Sequence, residues 1–150
     1  MTWNALDSFI DVSSMDSPDC PPAIRIIHLG GNDMTHMSGK ALILKVIDDL
    51  REYHSRFPMT RIVWSAMIPL LVWGPVHDPQ KMHKFRKGVN REVDNFISNG
   101  LGSVIQHPEI TALKPELFWP DGVHLSDMGL EIFLLELQEG LWAELLSLMG

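Results

Sequence analysis

The sequence predicts an α/β fold in which a parallel sheet is built from strands that alternate with long helices. Short apolar runs rich in β-branched residues recur along the 150 residues, as is typical of strands buried on both faces. Longer segments between them carry apolar residues at helical spacing. The loops that join these segments contain glycine, proline, asparagine and aspartate, which favour turns. The length suits a single domain, residues 1–150, with one core.

The first half of the chain predicts two helices and two strands. Thr2 can cap a short helix at the beginning of the chain. The apolar residues of that helix are Trp3, Leu6, Phe9 and Ile10. Residues 24–29 form a nearly continuous apolar run and predict a buried strand. Residues 38–56 predict an amphipathic helix, and residues 61–67 predict the second buried strand.

The second half of the chain predicts a helix, a short strand and a last helix. Asp78 and Pro79 fit the N-cap and first position of a helix that Gly100 ends. Residues 103–106 predict the third strand, and Ser126 can cap the last helix. One side of that helix carries Leu130, Phe133, Leu134, Leu137, Leu141 and Leu145. Because crossovers between parallel strands are right-handed, we expect helices on both faces of the sheet.

Composition and charge argue against several classes of protein. A net charge of −7 argues against nucleic acid or an anionic membrane surface as the main partner. No apolar segment reaches the ~18 residues of a membrane span, and no signal peptide is visible, which predicts a cytoplasmic protein. The single cysteine, Cys20, excludes an internal disulfide framework. The seven histidines form neither H-E-x-x-H nor a cluster with cysteine, so we expect no metal and no cofactor.

A first motif, His28-Leu29-Gly30-Gly31-Asn32-Asp33, follows the first predicted strand. The two glycines let the backbone turn sharply and approach a ligand, and Asn32 offers a side-chain amide as a hydrogen-bond donor. Such a donor can stabilise an oxyanion during acyl transfer. The alternative is a plain turn, because the same residues are ordinary turn residues.

A second motif, Asp121-Gly122-Val123-His124, lies between the third strand and the last helix. The glycine allows a tight turn, so the carboxylate of Asp121 can reach Nδ1 of His124 and leave Nε2 as a base. The alternative is a loop aspartate and a loop histidine that never meet. In parallel sheets, sites form where strands end at the carboxyl edge, and both motifs occupy such positions.

Together and in this order, the two motifs resemble the G-x-N-D and D-x-x-H blocks of the SGNH/GDSL hydrolases, a superfamily of esterases and lipases. The flanking segments 26–29, 64–69 and 118–129 fit the same pattern, so the resemblance covers nearly the whole chain. It implies a three-layer α/β/α, flavodoxin-like fold and hydrolysis of carboxylic esters by a serine mechanism. It also implies that His124 is the general base and that Asp121 orients it.

The resemblance assigns roles to the glycine-rich motif as well. It implies that Asn32 and Gly31 donate hydrogen bonds to the oxyanion, while Gly30 and Asp33 support their loop. The implied substrate is a small-molecule ester. Nothing in the sequence selects its acyl or alcohol part.

The nucleophilic serine of this family follows the first strand in a G-D-S block, and no serine of this chain stands in that context. Ser38 and Ser126 fit helix caps, and Ser65 lies within a predicted strand. The resemblance therefore predicts an N-terminally truncated domain whose parallel sheet lacks its first strands. We expect little or no esterase turnover from residues 1–150. Because the missing strand would pair with residues 24–29, we also expect weak stability, self-association through that unpaired edge, or completion of the sheet by another segment.

A second interpretation is a non-catalytic binding protein with the same fold. A basic stripe on the third predicted helix consists of Lys81, Lys84, Arg86, Lys87 and Arg91. Such a stripe is most often a solvated helix face. A binding role predicts salt-sensitive affinity for an acidic partner and no dependence on His124, whereas the hydrolase interpretation predicts the reverse. Trp73, in the loop after the second strand, can line a substrate pocket or pack over the core.

Overall fold

The computed structural model describes residues 19–28, 32–74 and 77–150, with the backbone alone for Asn32 and Asp33. The helix predicted to follow Thr2 lies outside the described residues. Within them, three strands form one parallel sheet in the order β1-β2-β3. The strands are β1 (Ile24–Ile27), β2 (Arg61–Ser65) and β3 (Gly102–Ile105). The predicted parallel α/β architecture is confirmed.

Strand β2 ends two residues before the predicted position, because the backbone groups of Met67 bond to a side chain instead of a strand. Ala66 N–H still donates to Ile105 O at 2.9 Å. At Met67, the N–H donates to Asn90 Oδ1 at 2.9 Å, and the carbonyl accepts from Asn90 Nδ2 at 3.0 Å. A buried asparagine side chain thus takes the place of a neighbouring strand.

Three helices connect and follow the strands: α1 (Gly39–Arg56), α2 (Pro79–Ile97) and α3 (Asp127–Met149). Short 3₁₀ turns occupy Asn32–Thr35 and Pro115–Leu117. The three N-caps predicted within the described residues are present. The Ser38 hydroxyl accepts from Ala41 N–H, the Asp78 carboxylate from Gln80 N–H, and the Ser126 hydroxyl from Gly129 N–H. None of the helices within the described residues is long and apolar enough to cross a membrane.

One face of the sheet is covered by α1 and α2, and the main core lies there. Ile62 and Trp64 of β2 point into it and are fully buried. The helices contribute Leu42, Val46, Leu50, Val89 and Val93, all with no exposed surface. This packing is the largest source of stability available to the fold, since burying one such side chain contributes about 1.5–3 kcal/mol.

The other face is covered by α3, which approaches the sheet closely. A Cβ added at Gly140 would lie 2.5 Å from Ile105 Cγ1, so only glycine lets the helix pack at this distance. Glu144 of α3 is buried and accepts hydrogen bonds from Arg61 Nε at 2.8 Å and from Ser103 Oγ at 2.6 Å. Helices on both faces complete the three layers.

The predicted apolar side of the last helix coincides only in part with the side that packs on the sheet. Phe133 is buried as expected, but Leu130 and Leu134 are about half exposed. The buried or half-buried positions include Glu136, which faces His107 in the loop after β3, and Glu144, which meets Arg61 and Ser103 on the sheet. Glu144 accepts hydrogen bonds from the half-buried Arg61 and Ser103 side chains, which a leucine at that position could not do.

Candidate active site

The residues of the second motif meet in one tight turn. Asp121 Oδ2 lies 2.6 Å from His124 Nδ1. The other oxygen of the same carboxylate, Oδ1, accepts from the backbone N–H groups of Val123 at 2.9 Å and His124 at 3.0 Å. One carboxylate therefore fixes both the backbone of the turn and the orientation of the imidazole.

The turn is held in place by the segments on either side of it and by the loop after β2. Trp119 N–H donates to His124 O at 2.7 Å, and Phe118 pairs with Leu125 in an antiparallel bridge. Gly122 has a φ of +71°, and its carbonyl accepts hydrogen bonds from Leu71 and Val72. Since the loop after β2 leaves the carboxyl end of that strand, the turn lies at the carboxyl edge of the sheet, as predicted for a site of this fold class.

The electrostatics of the turn favour a charged carboxylate beside an accessible imidazole. The hydrogen bond to His124 and two backbone N–H groups lower the pKa of Asp121 to about 2. The His124 side chain is 66% exposed, and its Nε2 has no hydrogen-bond partner among the described residues. The Trp119 ring lies 5.4 Å from the imidazole ring, centroid to centroid, and covers one side of it. The imidazole is thus oriented through Nδ1 while Nε2 faces outward.

The first motif is described only in part. Gly30 and Gly31 lie outside the described residues. Asn32 begins the 3₁₀ turn Asn32–Thr35, which includes Asp33 and follows β1 at the same carboxyl edge of the sheet. Its placement on the chain agrees with an oxyanion loop, and the roles of these four residues stay predictions.

A second polar network, which the sequence did not predict, lies buried between β2, the loop after β3 and α3. Ser65 Oγ is 2.7 Å from His107 Nε2, and His107 Nδ1 is 3.6 Å from Glu136 Oε1. His28 Nδ1 bonds to the carbonyl of Ser65 at 3.2 Å. Phe133 stacks on the His107 ring at 4.4 Å.

This network has the order serine, histidine, carboxylate, but it does not present a nucleophile. Ser65 has no exposed surface, so an ester cannot reach its hydroxyl. Burial and the neighbouring His28 lower the pKa of His107 to about 4, and burial raises the pKa of Glu136. The imidazole is therefore neutral at pH 7. The network joins elements of the fold, whereas the Asp121–His124 turn opens to solvent.

The described serines occupy structural positions. Ser38 and Ser126 are helix caps, Ser98 ends α2 and Ser103 bonds to Glu144. None of the serines described here is hydrogen-bonded to His124. Ser55 Oγ donates to Glu52 O at 2.7 Å within α1, and Ser147 lies on the exposed side of α3. The other serines, Ser8, Ser13, Ser14 and Ser17, lie outside the described residues.

Metal ligands are not clustered in the part of the chain that the structure describes. There, no group of three histidine, cysteine, aspartate or glutamate side chains is arranged to hold an ion. Of the two roles open for Trp73, packing over the core is confirmed, and lining a substrate pocket stays a prediction. It is 5% exposed and packs in the main core, and it also lines a cavity beside α2.

Solved structures of ester hydrolases share this architecture. A mutant acetyl esterase crystallised with acetate ion matches 86% of this chain with a TM-score of 0.66 and 16% identity. A carbohydrate esterase of family 3 from Talaromyces cellulolyticus matches 84% with a TM-score of 0.65 and 16% identity. A GDSL-like lipase from Parabacteroides merdae matches 87% with a TM-score of 0.60 and 20% identity. The chain has the SGNH/GDSL hydrolase fold.

The SGNH/GDSL structures are longer than this chain, which spans 61%, 60% and 65% of the three neighbours. This partial coverage agrees with the incomplete parallel sheet predicted from the sequence. At these identities the likeness shows the fold alone. No family model and no curated protein sequence matches the chain.

Proposed function

We propose that this chain is an ester hydrolase domain of the SGNH/GDSL kind in which His124 is the general base and Asp121 orients it. The observation that carries the proposal is the 2.6 Å contact between Asp121 Oδ2 and His124 Nδ1, together with an outward-facing Nε2. This arrangement selects the tautomer whose Nε2 lone pair can accept a proton. The SGNH/GDSL fold and the position at the carboxyl edge of the sheet support the same reaction class.

In the proposed reaction, Nε2 takes the proton of a serine hydroxyl as its oxygen attacks the ester carbonyl carbon. The side-chain amide of Asn32 and the N–H of Gly31 donate to the oxyanion that forms. Nε2 then returns the proton to the departing alcohol, and water releases the acid from the acyl-enzyme by the reverse sequence. Asp121 stays ionised throughout and stabilises the imidazolium.

The nucleophile is not assigned to any serine of this chain, and this sets the expected activity. Without covalent catalysis, an oxyanion hole and binding retain only a modest acceleration over water. We therefore propose that residues 1–150 alone are inactive or weakly active toward esters. What remains is the slow attack of the oriented imidazole on an activated ester.

The proposal is tested by hydrolysis of p-nitrophenyl acetate combined with a fluorophosphonate serine probe. We expect a low rate that falls severalfold in both His124→Ala and Asp121→Asn, because each variant removes the oriented base. His36→Ala is the matched control, since His36 is exposed and lies in a different turn. Mass spectrometry is expected to find no stoichiometric fluorophosphonate adduct.

Two results would contradict this proposal. Equal rates in all three variants would remove His124 from the chemistry. A stoichiometric adduct on one serine, lost in His124→Ala, would mean that the chain carries its own nucleophile and is a working esterase.

A non-catalytic binding protein with the same fold is the second candidate. One residue of the basic stripe favours this candidate. Arg86 is half-buried and lines a cavity, so it does not belong to a solvated helix face. Binding by that face would not depend on His124, which separates it from the hydrolase proposal.

A further inference from the structure

A cavity of about 1110 Å³ lies beside α2, between that helix and the loops that follow β2 and β3. Small-molecule sites in proteins commonly have volumes of roughly 300–1,000 Å³, so the cavity is large enough for a ligand of that kind. Its wall is mostly apolar, with Leu70, Leu71 and Trp73 on one side and Ile110 on the other. An apolar wall of this size favours a ligand with a hydrocarbon part.

The helix side of the same cavity is basic. His83, Arg86, Lys87 and Arg91 line it, and Asp94 is the one acidic residue among its described lining. Asp94 already accepts a hydrogen bond from Ser98 Oγ at 2.7 Å. The cavity therefore combines an apolar wall with an excess of positive charge, although the chain as a whole is acidic.

Arg86 is the cation held most firmly in this wall. Its Nη1 donates to Met67 O at 2.9 Å, and its Nη2 lies 3.2 Å from His83 Nδ1. Burial and the neighbouring Arg86 lower the pKa of His83, so the neutral ring can accept from the guanidinium. These contacts fix the side chain against the cavity and leave further N–H donors without a partner, since a guanidinium has five.

The charge of Arg86 has no counter-ion in the part of the chain that the structure describes. Among the described residues, no carboxylate lies within 4.0 Å of its guanidinium, and its Nε is buried without a hydrogen-bond partner. Burial lowers the pKa of Arg86, and no carboxylate opposes that effect. A half-buried, unpaired cation is costly for the folded protein, and an anion in the cavity would remove that cost.

We propose that this cavity binds an aliphatic carboxylate of medium chain length, with its carboxylate on Arg86 and its hydrocarbon chain against Leu70, Trp73 and Ile110. A planar carboxylate matches the guanidinium fork, which can donate two parallel hydrogen bonds. This ligand goes beyond the proposed hydrolysis, because its recognition uses neither Asp121 nor His124.

Isothermal titration of the 150-residue chain with sodium octanoate tests the proposal, and two probes dissect the ligand. Acetate carries the charge without the chain, and 1-octanol carries the chain without the charge. We expect octanoate to bind at least about tenfold more tightly than either, because each probe loses one half of the recognition. We also expect the affinity for octanoate to fall as salt is raised.

Substitutions on α2 test whether the carboxylate of the ligand binds to Arg86. Arg86→Gln is expected to weaken octanoate binding at least about tenfold, the usual effect of losing a charge-assisted hydrogen bond. Lys84→Gln is the matched control, because Lys84 is exposed on the same helix and outside this cavity, and it should leave the affinity unchanged. Arg86→Lys keeps the charge without the planar fork and should lose only severalfold. Circular dichroism checks that each variant folds.

Several results would overturn the proposal. One is no measurable binding of octanoate to the unmodified chain, and another is 1-octanol binding as tightly as octanoate. Equal losses in Arg86→Gln and Lys84→Gln would point to general attraction between charges. A loss of affinity in Arg86→Lys as large as that in Arg86→Gln would mean that the positive charge at this position does not determine the affinity for octanoate.

Discussion

Gly122 is the residue on which the geometry of the Asp121–His124 pair depends. Its φ of +71° lies in the left-handed region, which side chains other than glycine rarely adopt. A Cβ added there would lie 2.5 Å from Val72 Cγ2 and 3.1 Å from Leu71 Cβ. The turn is therefore restricted twice, by backbone conformation and by close packing against the loop after β2.

We expect Gly122→Ala to lower the free energy of unfolding by about 2–4 kcal/mol. The left-handed backbone accounts for roughly 1 kcal/mol, and overpacking against Leu71 and Val72 for roughly 1–3 kcal/mol more. Gly100→Ala is the matched control, because Gly100 has a φ of +105° and no atom within 4 Å of its added Cβ. Urea unfolding of both variants measures the difference. Equal losses would mean that packing against the loop contributes nothing.

At the same scale, the chain shows which contacts a sequence can predict. Asp121 and His124 are three residues apart on a turn with a glycine, so their contact follows from local geometry. Ser65 and His107 are 42 residues apart and meet only because β2 and β3 are neighbours in the sheet. No spacing rule connects them, and Ser65 could be placed in a strand but not in a network.

At the scale of elements, local chemistry predicts where helices begin better than where strands end. Ser38, Asp78 and Ser126 cap their helices as expected, because each cap needs only a backbone N–H two or three residues ahead. The end of β2 depends on Asn90, a residue of α2 that is 23 positions away from Met67. The end of this strand therefore depends on a contact between two elements, which the local sequence pattern does not show.

The buried network of His107 joins three elements and makes their packing sensitive to pH. Its ring bonds to Ser65 at the end of β2, faces Glu136 of α3 and lies edge-on to His28 after β1. Burial and His28 hold the pKa of His107 at about 4, below its value of 6.5 in an unfolded chain. Between these two values the unfolded chain binds more protons than the folded chain.

We therefore expect the free energy of unfolding to fall as the pH falls from about 6.5 to about 4. Outside that window, the contribution of His107 to the free energy of unfolding should not change with pH. His107 contributes at most roughly 3 kcal/mol of this loss. His28 acts in the same direction, because burial also lowers its pKa although its hydrogen bond to Ser65 opposes this. Glu136 acts in the opposite direction, because burial raises its pKa.

His107→Gln isolates the histidine term, since glutamine can still bond to Ser65 and does not titrate. Urea unfolding at several pH values should show a flatter slope between pH 4 and 6.5 in this variant. His36→Gln, on an exposed turn outside the network, should keep the slope of the unmodified chain. An unchanged slope in His107→Gln would assign the pH dependence to other groups.

In the molecule as a whole, the loops at one edge of the parallel sheet form both candidate sites. The loops after β2 and β3 contribute the cavity wall, and the loop after β3 also contributes the Asp121–His124 turn. Leu71 touches both, since it lines the cavity and donates to the carbonyl of Gly122 at 2.8 Å. Two proposed functions can therefore share one edge while using different side chains.

The outer side of α3 is unusually apolar for a surface helix. Leu135, Trp142 and Leu146 are 54%, 62% and 51% exposed, and spacings of seven and four residues place them on one face. Exposed apolar patches commonly mark surfaces that bind other proteins. Within the described residues, β1 is bonded to β2 alone, so the sheet also ends in an apolar strand on that side.

We expect the chain to self-associate through these two surfaces, and Trp142→Glu to shift it toward the monomer, because a carboxylate buried in an apolar interface is costly. Light scattering coupled to size-exclusion chromatography measures the mass over a range of concentrations. Met59→Glu is the matched control. It changes the net charge equally at a site that is 84% exposed, in the turn between α1 and β2, so self-association should persist.

A stable, monodisperse monomer at every concentration would mean that neither surface drives association. A Met59 variant as dissociated as the Trp142 variant would mean that added negative charge, rather than the α3 face, controls the equilibrium.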